Sequence, residues 1–143
     1  MEIVRTVTVD RPVERVFAYL SDFTTTNEWD PGTVRTTRQA GDGGVGTQYH
    51  NVSEFMGRQT ELTYVVLEVS PTEVFRLRGE NKTLVAHDTM TFVPTPDGGT
   101  TVTYRAQFDL KGLAKLSAPF LAPAFKRLGD EAEDGLRAAL QRL

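Results

Sequence analysis

Two hydrophobic periodicities divide the chain. The first ten residues carry the β-branched set Ile3, Val4, Val7 and Val9, which predicts a strand, and Asp10-Arg11-Pro12 then punctuates the start of a helix. Val13, Val16, Phe17 and Leu20 recur at spacings of three and four, so that helix presents one apolar stripe. The stretch from Asp22 to Gly32 is polar and broken, predicting a short helical turn that ends in a loop before Pro31-Gly32. From Thr33 to Leu110 the period is two, interrupted at Gly41-Asp42-Gly43-Gly44, Phe55 to Arg58, Ser70-Pro71, Gly79 to Lys82 and Pro96 to Gly99. Six consecutive strands in an antiparallel meander follow from this spacing.

The clearest of these strands is Thr100 to Leu110, where Val102, Tyr104, Ala106 and Phe108 alternate with polar residues. The same parity puts Phe75 and Leu77 inside against Arg76 and Arg78, and Asp88, Met90 and Phe92 inside against Thr89 and Thr91. A slip of one residue would reverse every side chain of a strand, so the direction of Asp88 depends on register. From Lys111 to Leu143 helical spacing returns, with Leu113, Leu116, Phe120, Ala124, Leu128, Ala132, Leu136, Ala139 and Leu143 predicted on one stripe. Pro119 and Pro123 each remove a backbone donor, which predicts a kink or separate turn and a continuous helix only from about Pro123.

Composition narrows the function classes. The 143 residues fit one domain, 1–143, and no apolar run reaches the length of a membrane span, so stable membrane insertion is not expected. The start lacks the pattern of an export signal and there is no cysteine, which fits a cytoplasmic protein and removes thiolate chemistry. A net charge of −3 with interspersed signs offers no basic stripe for nucleic acid. Monomer and homodimer both remain open.

The order strand, helix, short helix, six antiparallel strands and long C-terminal helix gives the resemblance its frame. The stretches Val9 to Phe23, Glu28-Trp29-Asp30-Pro31-Gly32, Gly44-Val45-Gly46-Thr47, Leu62-Thr63-Tyr64, Asp88 to Phe92 and Leu110-Lys111-Gly112-Leu113 carry it. On these the chain resembles the polyketide cyclase/dehydrase-like branch of the START-like superfamily. The resemblance implies an α+β helix-grip fold, a seven-stranded curved antiparallel sheet around the long helix, with a cavity whose mouth lies near the short second helix and the strand-connecting loops. Physics agrees, because one helix cannot fill the concave face of such a sheet.

Candidate chemistry is sparse. Gly41 to Gly46 has the spacing of a dinucleotide loop, but a strand pattern follows where that motif needs a helix, so it reads as a hairpin loop. His50 and His87 are too few for a histidine-built metal site and have outward parity; no metal or cofactor is expected. Asp88, if it shares a face with Met90 and Phe92, is a carboxyl aimed at an apolar cavity and a usable acid or base; paired with Arg76 or Arg78, it is structural. Tyr49, Tyr64 and Tyr104 have inward parity and serve either as hydroxyl donors or as plain core. Trp29 is either a lid over the mouth or a seal between the second helix and the sheet.

The expected cavity wall comprises Trp29, Tyr49, Tyr64, Phe75, Leu77, Asp88, Met90, Phe92, Tyr104, Phe108, Phe120, Ala124 and Leu128. Three functions compete for it. The first is binding of a small hydrophobic molecule of lipid, polyketide or isoprenoid type. The second is a polyketide aromatase/cyclase or dehydratase in which Asp88 with Tyr49, Tyr64 or Tyr104 moves protons. The third is a module that regulates a partner through an exposed apolar patch.

Overall fold

The structure is a computed structural model that describes residues 1–143. Seven strands, β1 (Glu2–Val9), β2 (Thr33–Ala40), β3 (Gln48–Phe55), β4 (Arg58–Ser70), β5 (Val74–Glu80), β6 (Leu84–Pro94) and β7 (Thr100–Leu110), form one sheet. Its order is β1-β7-β6-β5-β4-β3-β2, every neighbour antiparallel. The last six strands are therefore a plain meander, and β1 closes the far edge against β7. Between β1 and β2 lie helix α1 (Val13–Leu20), a 3-10 turn (Phe23–Thr25) and helix α2 (Thr26–Trp29). After β7 a 3-10 segment (Gly112–Ser117) leads into helix α3 (Ala118–Gln141). This is the helix-grip architecture that the resemblance implied. No helix is long and apolar enough to cross a membrane.

The turns fall where glycine and proline punctuate the sequence. The Gly41–Gly46 stretch joins β2 to β3 with Gly41 and Gly43 at φ of 94° and 106°, a left-handed geometry that a side chain resists. It is a hairpin loop, and no helix follows it.

The strand register settles the faces. On β6, Ala86, Asp88, Met90 and Phe92 are buried and point at the helices, and Asp88 pairs with Leu77 on one side and Ala106 on the other. Most of this concave face is filled. Val16, Phe17 and Leu20 of α1 and Leu136, Ala139 and Leu140 of α3 pack with Phe75, Leu77, Met90 and Phe92 in one cluster, with Phe17 edge-on to Phe92 at 5.0 Å between ring centres. Each of these side chains larger than alanine contributes roughly 1.5–3 kcal/mol of burial. The core thus sits at the end of the sheet that α1 covers.

Two helical expectations need correction. Helix α3 begins at Ala118, five residues before the predicted start, and runs unbroken through Pro123. Pro119 sits in the first turn, where a backbone N–H has no helical partner to lose. The inward stripe also differs. It is Phe125, Gly129, Ala132, Leu136 and Ala139, spaced alternately by four and three, whereas Leu113, Leu116 and Phe120 are 85%, 73% and 82% exposed. Steps of four residues drift about 40° per step, so the four steps from Leu136 back to Phe120 rotate it by about 160°, to the opposite side of the helix.

Candidate functional site

Beside the packed core, the concave face retains a hollow between the sheet and α3, with a volume of about 110 Å³. Beside it α3 crosses β1 at close range on small residues. At Gly129 an added Cβ would come within 2.6 Å of Ile3 Cγ2, and Ala132, the next inward residue, is also small. On the sheet side Tyr64 lies across Gly79, where a Cβ would meet its ring at 2.7 Å. Glycines therefore let α3 and the Tyr64 ring come close to the sheet, and large rings bound the hollow beside them.

The aromatic wall has two parts. Trp29, at the end of α2, is 2% exposed and meets Tyr104 edge-on at 5.6 Å, while its indole N–H donates to Thr25 Oγ1 at 3.3 Å. It is a seal between α2, α3 and β7 that also forms cavity wall. Phe125 is wedged between Phe55 and Phe108, each 4.8 Å away between ring centres. Gly32, Glu54, Phe55 and Leu128 line both the cavity and an open groove between the β3–β4 hairpin and α3. That groove adjoins the cavity near the turn after α2.

Polar groups are placed unequally around this wall. Between α2, β2 and β3, Asn51 donates to Thr36 Oγ1 at 2.8 Å and accepts from Ser53 at 2.7 Å, and Thr26 donates to Thr36 Oγ1 at 2.6 Å. Asp30 accepts from the Gly32 amide at 3.0 Å and from the Thr33 hydroxyl at 2.9 Å; burial nevertheless raises its pKa. Asp88, 4% exposed, accepts one hydrogen bond, from the Tyr104 hydroxyl to Oδ2 at 3.1 Å. Its Oδ1 is a buried side-chain oxygen with no partner. Burial pushes the carboxyl up to about 7, the Tyr104 hydrogen bond pulls it down, and the charge of Asp30 adds to the rise. Tyr64 and Tyr104 are both raised well above the usual tyrosine value, first by burial and then by the charge of Asp88. The arginines that sequence offered as partners for Asp88 point the other way: Arg76 pairs with Glu68 at 3.2 Å and Arg78 with Glu80 at 2.8 Å on the outer face.

Of the expected wall residues, Trp29, Tyr64, Asp88, Tyr104, Phe108 and Leu128 line the cavity. Tyr49, Phe75, Leu77, Met90 and Phe92 do not; they are packed solid in the core, Tyr49 edge-on to Phe23 at 5.7 Å, because α1 and the C-terminal half of α3 fill that end of the face. Phe120 faces solvent and Ala124 lines the outer groove, both through the helical drift described above. His50 sits beside Glu61, with Nε2 to Oε1 at 3.1 Å, outside the cavity. Sequence reading missed Phe23, Asp30, Asn51, Phe55 and Phe125. For Phe125 an alternating four-three spacing back from Leu136 is the signal that finds it, and for Asn51 the two-residue spacing from inward Tyr49; Asp30 carried none.

Tyr104→Phe removes the only hydrogen bond to Asp88 and leaves both its oxygens unpartnered. We expect a loss of about 1–3 kcal/mol in unfolding free energy, read from urea denaturation at neutral pH.

Residues 1–141 match the family model described as polyketide cyclase / dehydrase and lipid transport. No curated protein matches the chain. Among solved structures, the Zhui aromatase/cyclase from Streptomyces sp. R1128 superposes with a TM-score of 0.84 at 13% identity, covering 99% of this chain and 94% of that one. The protein TTHA0849 from Thermus thermophilus gives 0.80 at 17%, covering 96% and 95%, and a START superfamily protein from Mycobacterium smegmatis gives 0.74 at 18%, covering 98% and 94%. At such identities these neighbours speak for the fold alone, and the START-like fold is theirs and this chain's. With its whole length but two residues matched, the chain belongs to the polyketide cyclase/dehydrase and lipid transport family.

Proposed function

We propose that the chain binds one small hydrophobic molecule, of lipid, polyketide or isoprenoid type, in the cavity between the sheet and α3. The observation that carries this reading is the cavity itself, walled by Trp29, Tyr104, Phe108 and Phe125 and adjoining the groove where the hairpin after β3 meets α3. Apolar surface removed from water there contributes about 25 cal/mol per Å², which makes burial the main source of affinity. The volume of about 110 Å³ is close to the roughly 150 Å³ that accommodates a benzene ring. A longer lipid or polyketide therefore places one ring-sized portion inside and extends through the groove.

A second reading, favoured by the unpartnered Asp88 Oδ1, is an aromatase/cyclase or dehydratase. A carboxyl poised near 7 at the cavity wall is suited to take a proton from carbon next to a carbonyl and return it to a leaving oxygen. Native mass spectrometry of the freshly purified protein, with extraction of whatever travels with it, separates the two. A stoichiometric apolar passenger supports the carrier; an empty protein that consumes an added β-ketone chain supports the enzyme; an empty protein that neither retains nor converts such molecules removes both.

A further inference from the structure

Most polar side chains on the cavity wall are committed within the protein, Asp30, Thr26, Asn51 and Ser53 among them. Asp88 is different. Its Oδ2 receives the Tyr104 proton, so when Asp88 itself is protonated its own proton sits on Oδ1, the oxygen that has no partner. The charge lining the cavity is also one-sided. Asp30, Glu54 and Asp88 reach the wall and no lysine, arginine or histidine does. Arg5, which approaches α3 beside Gly129, is held by Asp130 at 2.9 Å and Glu133 at 3.7 Å. A carboxylate ligand entering this space would be desolvated without a counter-charge and set near like charges, a cost that disfavours it strongly.

We propose that the cavity selects neutral, oxygen-bearing ligands over carboxylates, with Asp88 Oδ1 as the atom that hydrogen-bonds the ligand's carbonyl or hydroxyl oxygen. This rests on the cavity being the ligand site. The groups facing Asp88 are few: Tyr104 from β7, Tyr64 from β4 and Asp30 from the turn after α2. On β5 its neighbour is Leu77, with Arg76 and Arg78 on the outer face, and α3 brings only Phe125, Leu128, Gly129 and Ala132 to the cavity. No cation compensates a ligand's negative charge, and no hydrogen bond of the protein occupies Oδ1. The protonated carboxyl donates to a carbonyl; the ionised one accepts from a hydroxyl. A ketone therefore loses its hydrogen bond as Asp88 ionises, and an alcohol does not.

The test uses ring-sized probes that differ only in their polar end: acetophenone, benzyl alcohol, benzoate, benzylamine and toluene. Binding is read on the indole N–H of Trp29, the single tryptophan, in ¹⁵N-labelled protein. At pH 6 we expect acetophenone and benzyl alcohol to bind several-fold tighter than toluene and at least tenfold tighter than benzoate. At pH 8.5 acetophenone should weaken several-fold while benzyl alcohol holds, and Asp88→Asn should abolish that difference. Benzoate binding as well as the ketone, benzylamine binding tightest of all, or toluene matching the oxygenated probes at both pH values would each overturn the proposal while leaving the cavity as a ligand site. If no probe, toluene included, moves Trp29 saturably, the cavity reading falls with it.

Discussion

Gly135→Ala is expected to destabilise the protein by about 2 kcal/mol, although alanine is the better helix former by roughly 1 kcal/mol. The reason lies across the interface between α3 and α2. A Cβ at position 135 would stand 2.0 Å from the carbonyl oxygen of Trp29 and 3.3 Å from Cδ of Pro31. The oxygen belongs to the backbone, so relief requires moving the whole Trp29-Asp30-Pro31 turn, and overpacking of this kind costs about 1–3 kcal/mol or more. The same movement shifts Trp29 against Tyr104 and deforms the cavity. Urea denaturation checks it, with Asp134→Ala on the exposed side of the same turn as the control. A Gly135→Ala protein more stable than its parent would mean that α3 does not lie this close to α2.

Asp88→Asn should make the protein more stable at pH 8, by an amount on the order of 3 kcal/mol. The sign follows from linkage. The folded carboxyl titrates at about 7, well above the ordinary aspartate value, so between roughly pH 4 and 7 the folded state holds a proton that the unfolded chain has released. Stability from Asp88 is therefore fully present below pH 4 and is lost as pH rises through 7. The amide neither ionises nor forfeits this contribution. Asp30 is raised in the same direction, and Glu80, Asp97 and Asp130 are lowered, but these belong to both proteins, so the difference between them reports Asp88 together with its coupling to Asp30. Denaturation midpoints taken from pH 4.5 to 8.5 should diverge as pH rises. A constant difference across that range would mean that Asp88 is solvated or paired in the folded state.

Both expectations concern residues whose roles sequence reveals to different degrees. The parity of β6 exposes Asp88, because two-residue alternation forces it to share a face with Met90 and Phe92. Strand order and turn positions were legible for the same reason: glycine and proline punctuate a regular period. What sequence could not supply was depth. Phe75, Leu77, Met90 and Phe92 share their inward parity with Tyr104 and Phe108, yet they join the cluster that α1 covers and become core, while Tyr104 meets Trp29, Phe108 meets Phe125, and both become cavity wall. Inward and cavity-lining are separate properties, and only the position of the covering helices distinguishes them. Gly135 carries no signal at all, since a glycine inside a helical pattern reads as a weak position until the backbone of another element is found against it. The exposed Phe120 shows the opposite failure, a three-and-four spacing that imitates a stripe which the helix's rotation disperses, while Leu113 and Leu116 lie in the 3-10 segment before α3 begins.

The central claim is that the chain encloses a ligand-sized apolar space between its sheet and α3. Xenon pressurisation of crystals of the protein tests it most directly, because xenon enters apolar cavities that water leaves empty. The account predicts a xenon site bounded by Trp29, Tyr104, Phe125 and Ala132. A hollow filled instead by a chain of ordered waters running from Asp88 to the groove, with no xenon, would contradict it.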